Sequence, residues 1–260
     1  MKYSIPYSPS RLDATYFIEK VLRKHLKDGS KILDIGSGGI YLVLLLSDIN
    51  IKLNYFGVDI QPKTFKLDSK NINKKIIRAD FLKFKSNRKF DIETCLWVLE
   101  HIKDDTRAIK NMTNYLKKNS LAIVAVPSIW SWPIEFGRHG FRYYTKQNIA
   151  EKVTEAGFKI IRQYGAGGFL GLAFMIFYSW PRYISLVPLY FFYKTIRLFK
   201  LTNESWSDFS KNFVQKTFYR YHSSKKGVKI HNKIVKTIVN IDCKLKLIPA
   251  SYVLVLKKNE

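Results

Sequence analysis

Short apolar runs recur along the chain, and the segments between them place their apolar residues at a helical period. Most of the runs end at an acidic or small residue. Buried runs of this length that alternate with helical segments are typical of a parallel sheet covered by helices. The predicted strands cover residues 31–34, 53–58, 75–79, 90–97, 121–127, 158–161 and 252–257. The predicted helices cover residues 11–27, 41–46, 104–118 and 145–156, and Thr145 is expected to be the N-cap of the last one.

A glycine-rich turn joins the first predicted strand to the helix that follows it. Gly36 and Gly38 lie in the turn, and Asp34 ends the strand two residues before the first glycine. Glycine lets backbone N–H groups approach a ligand closely because it has no side chain. A dinucleotide site needs a third glycine where this chain has Tyr41, and Asp34 would repel a phosphate. The turn therefore disfavours a nicotinamide oxidoreductase and suits a ligand with a cationic or amino group.

Two further acids follow the next two strands. Asp59 ends the second strand 25 residues after Asp34, and Asp80 ends the third. A carboxylate at the tip of the second strand is placed to accept hydrogen bonds from the two hydroxyls of a ribose. The alternative is that Asp59 only caps a turn or helix before Gln61, and that Asp80 is a cap or loop residue.

The turn resembles motif I of the class I S-adenosylmethionine-dependent methyltransferases, D/E-x-G-x-G-x-G. Asp34, Gly36 and Gly38 match this motif, whereas Ile40 replaces its last glycine and Gly39 stands one place early. The resemblance covers residues 30–164 and 244–257. It implies a Rossmann-like α/β fold, with a seven-stranded sheet, helices on both faces and an antiparallel last strand. It also implies S-adenosyl-L-methionine as cofactor.

The resemblance also assigns expected cofactor contacts. Asp59 corresponds to the motif II acid, with Ile60 against the adenine, and the pair Asp80 and Phe81 resembles motif III, which meets the adenine amino group and flanks its ring. Leu96 and Trp97 are expected beside the methionine part of the cofactor. No metal site is predicted.

The fourth strand and the residues after it resemble motif IV of the small-molecule, type 11-like branch, in which Glu-His follows the strand. Glu100 and His101 stand at that position, and the N-P-P-Y or D-P-P-Y signature of methyltransferases acting on nucleobase or glutamine amino groups is absent. His101 and His139 are the candidate catalytic bases, since imidazole titrates near neutral pH. Alternatively, His101 caps a helix or packs beside the cofactor, and His139 is a solvent-facing loop residue.

The charge of the chain adds partners to consider. The formal net charge is +25 over 260 residues, which invites an anionic membrane surface or, less strongly, a nucleic acid. Scattered surface lysines are the plainer explanation. Two cysteines form no disulfide framework, and no apolar segment follows the N-terminus, so we expect a reducing, cytoplasmic location.

An insertion is predicted before the last strand. We expect a methyltransferase core over residues 1–164, an apolar and basic helical insertion over residues 165–243, and the last core strand within residues 244–260. Residues 163–181 carry no charged side chain, and a proline ends them. This pattern predicts a helix–proline–helix hairpin that dips into the inner leaflet as a peripheral or monotopic anchor. A subdomain over a large substrate pocket and a dimer contact are the alternatives.

The sequence thus predicts methyl transfer to the oxygen of an apolar or lipid-linked small molecule, such as a quinone precursor or a lipid-carried sugar. Two alternatives stay open. An RNA methyltransferase would use the basic C-terminal part on phosphates. A non-catalytic cofactor-binding protein on the same fold is indicated only by Ile40 in the place of glycine.

Overall fold

A computed structural model of the chain describes residues 6–38, 41–49, 51–62, 70–132, 140–217, 224–245 and 248–259. Its centre is a seven-stranded sheet in the order β3-β2-β1-β4-β5-β7-β6. The strands are β1 (Ser30–Ile35), β2 (Leu53–Asp59), β3 (Ile72–Arg78), β4 (Phe90–Leu96), β5 (Leu116–Pro127), β6 (Phe158–Ala166) and β7 (Ser251–Lys258).

The direction of the strands fixes one functional edge of the sheet. The strands β1 to β5 pair in parallel, and β7 runs antiparallel to both β5 and β6, which confirms the predicted antiparallel last strand. The chain order reverses between β1 and β4, so a crevice forms outside their carboxyl ends, where open α/β sheets bind ligands. The glycine turn, Asp59 and Trp97 all follow strands at this edge.

Helices cover both faces of the sheet, as predicted. One face packs against α1 (Leu12–His25) and α2 (Tyr41–Ser47), and the other against α3 (Asp105–Thr113) and α4 (Lys146–Glu155). On the first face, Ile18 and Leu45 belong to one buried cluster with Ile32 of β1. On the second face, Met112 and Ile149 pack with Leu33 of the same strand. Alternate residues of β1 thus point into opposite layers of the core.

Capping side chains set the helix boundaries near the site. Thr145 accepts a hydrogen bond from the Asn148 amide at the start of α4, as predicted, and Asp104 caps α3 in the same way through the Arg107 amide. The prediction that α3 extends to residue 118 is wrong, because β5 already begins at Leu116. The first part of β5 lacks the apolar run by which its second part was recognised.

Among the residues described between β6 and β7, the chain forms three helices: α5 (Phe169–Leu198), α6 (Trp206–Thr217) and α7 (Lys225–Leu245). The predicted helix–proline–helix hairpin is wrong, since α5 is a single helix of 30 residues that continues past Pro181. Proline removes one backbone hydrogen bond and kinks a helix, but it does not force the chain to reverse. Across the described segments, no helix combines the length and hydropathy needed to cross a membrane. The predicted domain boundaries at residues 164 and 243 stay predictions.

Candidate functional site

The turn after β1 needs glycine at its first position. Gly36 has a φ of +72°, and its amide donates to the Val58 carbonyl of β2 at 2.8 Å. A Cβ added to Gly36 would lie 2.2 Å from a methyl carbon of Val98. Both the left-handed backbone and this contact exclude a side chain. The turn therefore packs directly against the segment that follows β4.

Gly38 and Asp59 connect the turn to the tip of β2. The Gly38 amide donates to Asp59 Oδ2 at 2.7 Å, and the Gln61 amide donates to Asp59 Oδ1 at 2.7 Å. Each carboxylate oxygen offers two acceptor positions, so with respect to the residues that the structure describes each keeps one for a ligand. The side chain is half-buried at the crevice. Asp59 thus caps the turn before Gln61, which is the role that the alternative interpretation gave it. The remaining acceptor positions among the described residues are the two that a ribose diol requires.

Asp34 lies below the turn. It is buried, and its two oxygens accept hydrogen bonds from the Tyr55 hydroxyl at 2.6 Å and from Thr94 Oγ1 at 2.7 Å. Burial raises the pKa of Asp34 to about 6, although both hydrogen bonds lower it. The carboxyl therefore ties β1 to β2 and β4. Its predicted contact with a ligand stays a prediction.

The other predicted adenine contacts differ in exposure. Ile60 is 61% exposed just beyond β2. Asp80 is half-buried and accepts a hydrogen bond from the Leu82 amide at 2.9 Å, so it closes a local turn. Phe81 is buried, and its ring stacks on Phe84 with centroids 6.3 Å apart. Of these three side chains, Ile60 presents the largest free surface to a ligand.

Leu96 and Trp97 end β4 at the crevice. Leu96 is half-buried, whereas Trp97 is buried and has a φ of +55°, which is uncommon for a bulky residue. The Trp97 indole N–H donates to Ser251 Oγ at 3.1 Å, and its ring meets Tyr41 edge-on at 5.6 Å. The Arg11 guanidinium lies over the ring, 4.6 Å from its centroid. Three side chains from distant parts of the chain thus hold the indole in place.

A pocket of about 450 Å³, counted with its solvent-open mouth, lies beside Trp97 at the carboxyl edge of β4 and β5. His101 lines it, with 41% of its side chain exposed and its Nε2 3.9 Å from Glu100 Oε1. The other lining residues are Ser10, Arg11, Glu100, Pro127, Ser131, Gly140, Arg142, Tyr143, Ala250 and Ser251. His139, the second candidate base, lies outside the described residues, as do Gly39 and Ile40.

The two arginines of the pocket differ in their partners. Arg142 forms an ion pair with Asp105 and donates to the Lys103 carbonyl at 2.6 Å. Burial raises the pKa of Asp105, but the hydrogen bonds from Arg142, Lys152 and Tyr144 outweigh it, and the net shift is downward. Arg142 is therefore held in place by α3. Arg11 is the N-cap residue, directly before α1. The sequence predicts a helix over residues 11–27 but does not single out Arg11, because its contact with Trp97 is not local in sequence.

Comparison with known proteins identifies related sequences. Residues 11–163 match a family model described as "Methyltransferase domain". A ubiquinone biosynthesis O-methyltransferase of Rickettsia canadensis is 30% identical over 123 residues, which are 45% of this chain and 51% of that protein. A protein of the same name from Idiomarina loihiensis is 25% identical over 150 residues, covering 49% of this chain and 60% of that one. The chain spans about half the length of the curated relatives it matches.

Solved structures share the fold at low identity. A structure provisionally assigned as a sarcosine dimethylglycine methyltransferase from Galdieria sulphuraria aligns with a TM-score of 0.53 and 13% identity, over 96% of this chain and 86% of that one. The [4+2]-cyclase SpnF aligns with a TM-score of 0.50 and 12% identity, over 94% of this chain and 81% of that one. Since one of the two is named a cyclase, this likeness fixes the fold and not the reaction.

Proposed function

The chain belongs to the class I S-adenosylmethionine-dependent methyltransferases, and from that premise we propose that it methylates a hydroxyl of an apolar or lipid-linked small molecule. A quinone precursor and a lipid-carried sugar are the two substrate types that we propose. The names of the curated relatives support an oxygen acceptor. Because those matches cover about half of each relative, the acceptor and substrate of this chain are proposals that need their own test.

The crevice suits S-adenosylmethionine. Gly36 and Gly38 leave the backbone bare where side chains would collide with Val98 and Asp59. Within the described part of the chain, Asp59 accepts one hydrogen bond at each carboxylate oxygen and so has one further acceptor position on each for a ribose hydroxyl. We assign the ribose hydroxyls to Asp59, the adenine to Ile60, Asp80 and Phe81, and the methionine part to Leu96 and Trp97. When bound, the cofactor supplies an electrophilic methyl group carried on a sulfonium.

The pocket beside Trp97 carries the proposal for the substrate. It opens at the same sheet edge as the glycine turn, and its lining combines an indole ring with serine, tyrosine, histidine, glutamate and arginine side chains. A lining of this kind favours a small molecule with a flat ring that packs on the aromatic side chains and polar groups that meet the charged and hydroxyl groups. The walls of such a pocket align the acceptor hydroxyl and exclude water, which is the main contribution a protein makes to group transfer.

His101 is our candidate for the base that accepts the proton of the hydroxyl. Its imidazole lines the pocket and is partly exposed, so a bound substrate can reach it. Neutral imidazole accepts a proton at physiological pH. The competing role is purely structural, because His101 also ends the short 3₁₀ turn Leu99–His101.

The test is methyl transfer to a small panel of acceptors. Purified protein would be incubated with S-adenosylmethionine and catechols with and without an alkyl tail, and the product would be examined by mass spectrometry for an added O-methyl group. We expect turnover that is faster with the tailed acceptor. A second panel of amines would be tested in the same way. The oxygen assignment would be overturned if the protein binds S-adenosylhomocysteine, methylates none of the hydroxyl compounds and methylates an amine instead.

A variant pair tests His101. The rate of the wild-type protein should fall at acidic pH, where imidazole takes up a proton and can no longer act as a base. His101→Asn should lower the rate by about 10²-fold and lose this pH dependence. His25→Asn, at the exposed end of α1, is the matched control and should leave both unchanged. An unaltered rate in His101→Asn would assign His101 the structural role.

We also propose that the protein works against the cytoplasmic face of a membrane, where an apolar substrate would be found. The high positive charge supports this location. The prediction of separate core and insertion units, divided near residues 164 and 243, belongs to the same proposal, since the insertion would make the contact.

A further inference from the structure

One face of α5 exposes a continuous row of large apolar side chains. They recur three, four or seven residues apart, which is one or two helical turns, so they lie on one side of the helix. We call this row the exposed stripe: Phe177, Trp180, Ile184, Val187, Phe191 and Leu198. The two ends of the stripe, Phe177 and Leu198, are each 80% exposed. Helices of soluble domains normally bury such a face, so the stripe calls for an occupant.

The opposite side of α5 is the one that packs on the rest of the protein. Leu172 and Tyr193 are buried there, and Met175 and Ile176 pack around Leu172 and Ala250. Asp242 of α7 accepts hydrogen bonds from the first turn of α5, which fixes how the helix is rotated. Because α5 packs on the protein through its other side, the exposed stripe faces outward and is not part of the core of this chain.

The charges around the stripe select its occupant. Helix α5 contains three cations, Arg182, Lys194 and Arg197, and no Asp or Glu, and Lys200 follows its end. Helix α7 adds exposed lysines at positions 225, 226, 229, 233 and 236. Two copies of this surface would repel each other, whereas anionic lipid headgroups attract it. Trp180 and Tyr190 are residue types that favour the boundary between headgroups and acyl chains.

We propose that the exposed stripe docks the protein on an anionic lipid membrane, with α5 lying in the plane of the bilayer surface. The apolar side chains enter the boundary below the headgroups, and the lysines remain among the phosphates.

The stripe helix begins at the wall of the substrate pocket. Helix α5 follows β6 at the carboxyl edge of the sheet, and a Cβ added to Gly167 would touch Ala250 at 3.0 Å and the Ser10 carbonyl at 3.3 Å. Ser10 and Ala250 both line the pocket. A membrane-bound stripe would thus hold the pocket close to the lipid surface. This step deepens the proposed function and rests on it, whereas the membrane contact itself does not.

The test is flotation of the full chain with lipid vesicles. Vesicles of phosphatidylcholine with 30% phosphatidylglycerol would be compared with pure phosphatidylcholine, each at low and high salt. We expect binding to the anionic vesicles that weakens at high salt. Ile184→Glu with Phe191→Glu should reduce the bound fraction at least tenfold. The matched control is Ile161→Glu, which places the same charge on an isoleucine of β6 that is 52% exposed. The control should float like the wild type.

The alternatives give different results. Equal flotation of the stripe variant and the wild type would overturn the proposal. The proposal would also be overturned if the wild type sediments as a dimer, the stripe variant sediments as a monomer, and both still bind vesicles. The stripe would then be a contact between two copies of the chain. Binding of S-adenosylhomocysteine shows that each variant is folded. Methyl transfer to a soluble catechol, measured without vesicles, tests the proposed function separately, so vesicle binding without transfer would remove that function and leave the docking surface standing.

Discussion

The backbone amide of Gly38 donates a hydrogen bond to the Asp59 carboxylate at 2.7 Å, and this bond joins the turn after β1 to the tip of β2. The two residues are 21 positions apart in the chain, yet each limits the other. A Cβ on Gly38 would meet Asp59 Oδ2 at 2.7 Å, so the carboxylate occupies the space that a side chain would need. The ribose acceptor that we assign is thereby held in position before any ligand arrives, which lowers the cost of binding.

Replacing Asp59 should separate this role from ordinary turn capping. Asp59→Ala removes both acceptors that we assign to the ribose, and a hydrogen bond to a charged group contributes about 1.5–3 kcal/mol. We expect the affinity for S-adenosylhomocysteine to fall about tenfold to a hundredfold in calorimetric titration. Asp28→Ala is the matched control, because Asp28 also accepts one backbone amide, that of Lys52, at the opposite edge of the sheet. An equal loss in both variants would contradict the ribose assignment.

The close packing of the turn can be measured against a second glycine. Gly36 and Gly29 both have a positive φ, but a Cβ at Gly29 would meet nothing within 4 Å. Either substitution by alanine should cost about 1–2 kcal/mol for the left-handed backbone. Gly36→Ala should lose about 1–3 kcal/mol more through its overlap with Val98. Urea unfolding of the two variants measures the difference between their free energies of unfolding. Equal midpoints would show that the turn accommodates the added methyl group with no loss of stability.

Glu93 should give the protein a stability that depends on pH. The side chain is fully buried in β4, and within the described residues neither of its carboxyl oxygens has a hydrogen-bond partner. Burial raises the pKa of Glu93 well above its ordinary value of 4.5, although Lys89 and Lys258 lower it. Above pH 4.5 the unfolded chain releases this proton while the folded chain keeps it. The free energy of unfolding therefore falls as the pH rises.

Glu93→Gln should remove this contribution, because glutamine stays neutral. We expect the variant to be more stable than the wild type at pH 8, and the difference to shrink as the pH falls toward 4.5. Glu151→Gln, on the exposed side of α4, is the control and should show no such trend. Denaturant unfolding over this pH range measures the effect. A constant difference between Glu93→Gln and the wild type would mean that Glu93 is ionised in the folded protein.

The features that the sequence predicted well are those that depend on residues close together in the chain. Apolar runs that end in an acid placed the tips of β1 and β2 correctly, and Thr145 was recognised as a helix cap because caps use few residue types. The start of β5 was missed since Lys118 and Asn119 are exposed there, and no apolar run marks a strand. A proline likewise carries no information on whether the chain turns back or continues as a helix, as it does in α5.

The features that could not be predicted are contacts between distant parts of the chain. The acid at position 34 was visible, but its burial under hydrogen bonds from Tyr55 and Thr94 depends on the register of three neighbouring strands. The contact of Arg11 with Trp97 requires α1 to cross the sheet edge, which the amphipathic pattern of α1 does not specify. Local pattern thus located the site, whereas strand register and helix placement decide which side chains face it.

Asp242 should hold the inserted helices on the core. Its buried carboxylate on α7 accepts from the Leu170 amide at 3.0 Å and from the Gly171 amide at 2.7 Å, in the first turn of α5. Gly168, the N-cap of α5, offers no side chain of its own to cap the helix. A carboxylate at a helix N-terminus is favoured both by the free amides and by the helix dipole. The acid thus supplies from α7 the cap that α5 lacks.

Asp242→Ala leaves these two amides without their acceptor, and we expect a loss of about 1.5–3 kcal/mol in the stability of the insertion. Hydrogen exchange should speed up in the first turns of α5 and in α7, while the amides of β1 and β4 keep their protection. Asp208→Ala, at the exposed start of α6, serves as control and should change exchange only near its own helix. Uniformly faster exchange in Asp242→Ala, including β1 and β4, would show that the insertion and the core unfold as one unit. That result would count against the separate insertion predicted for residues 165–243.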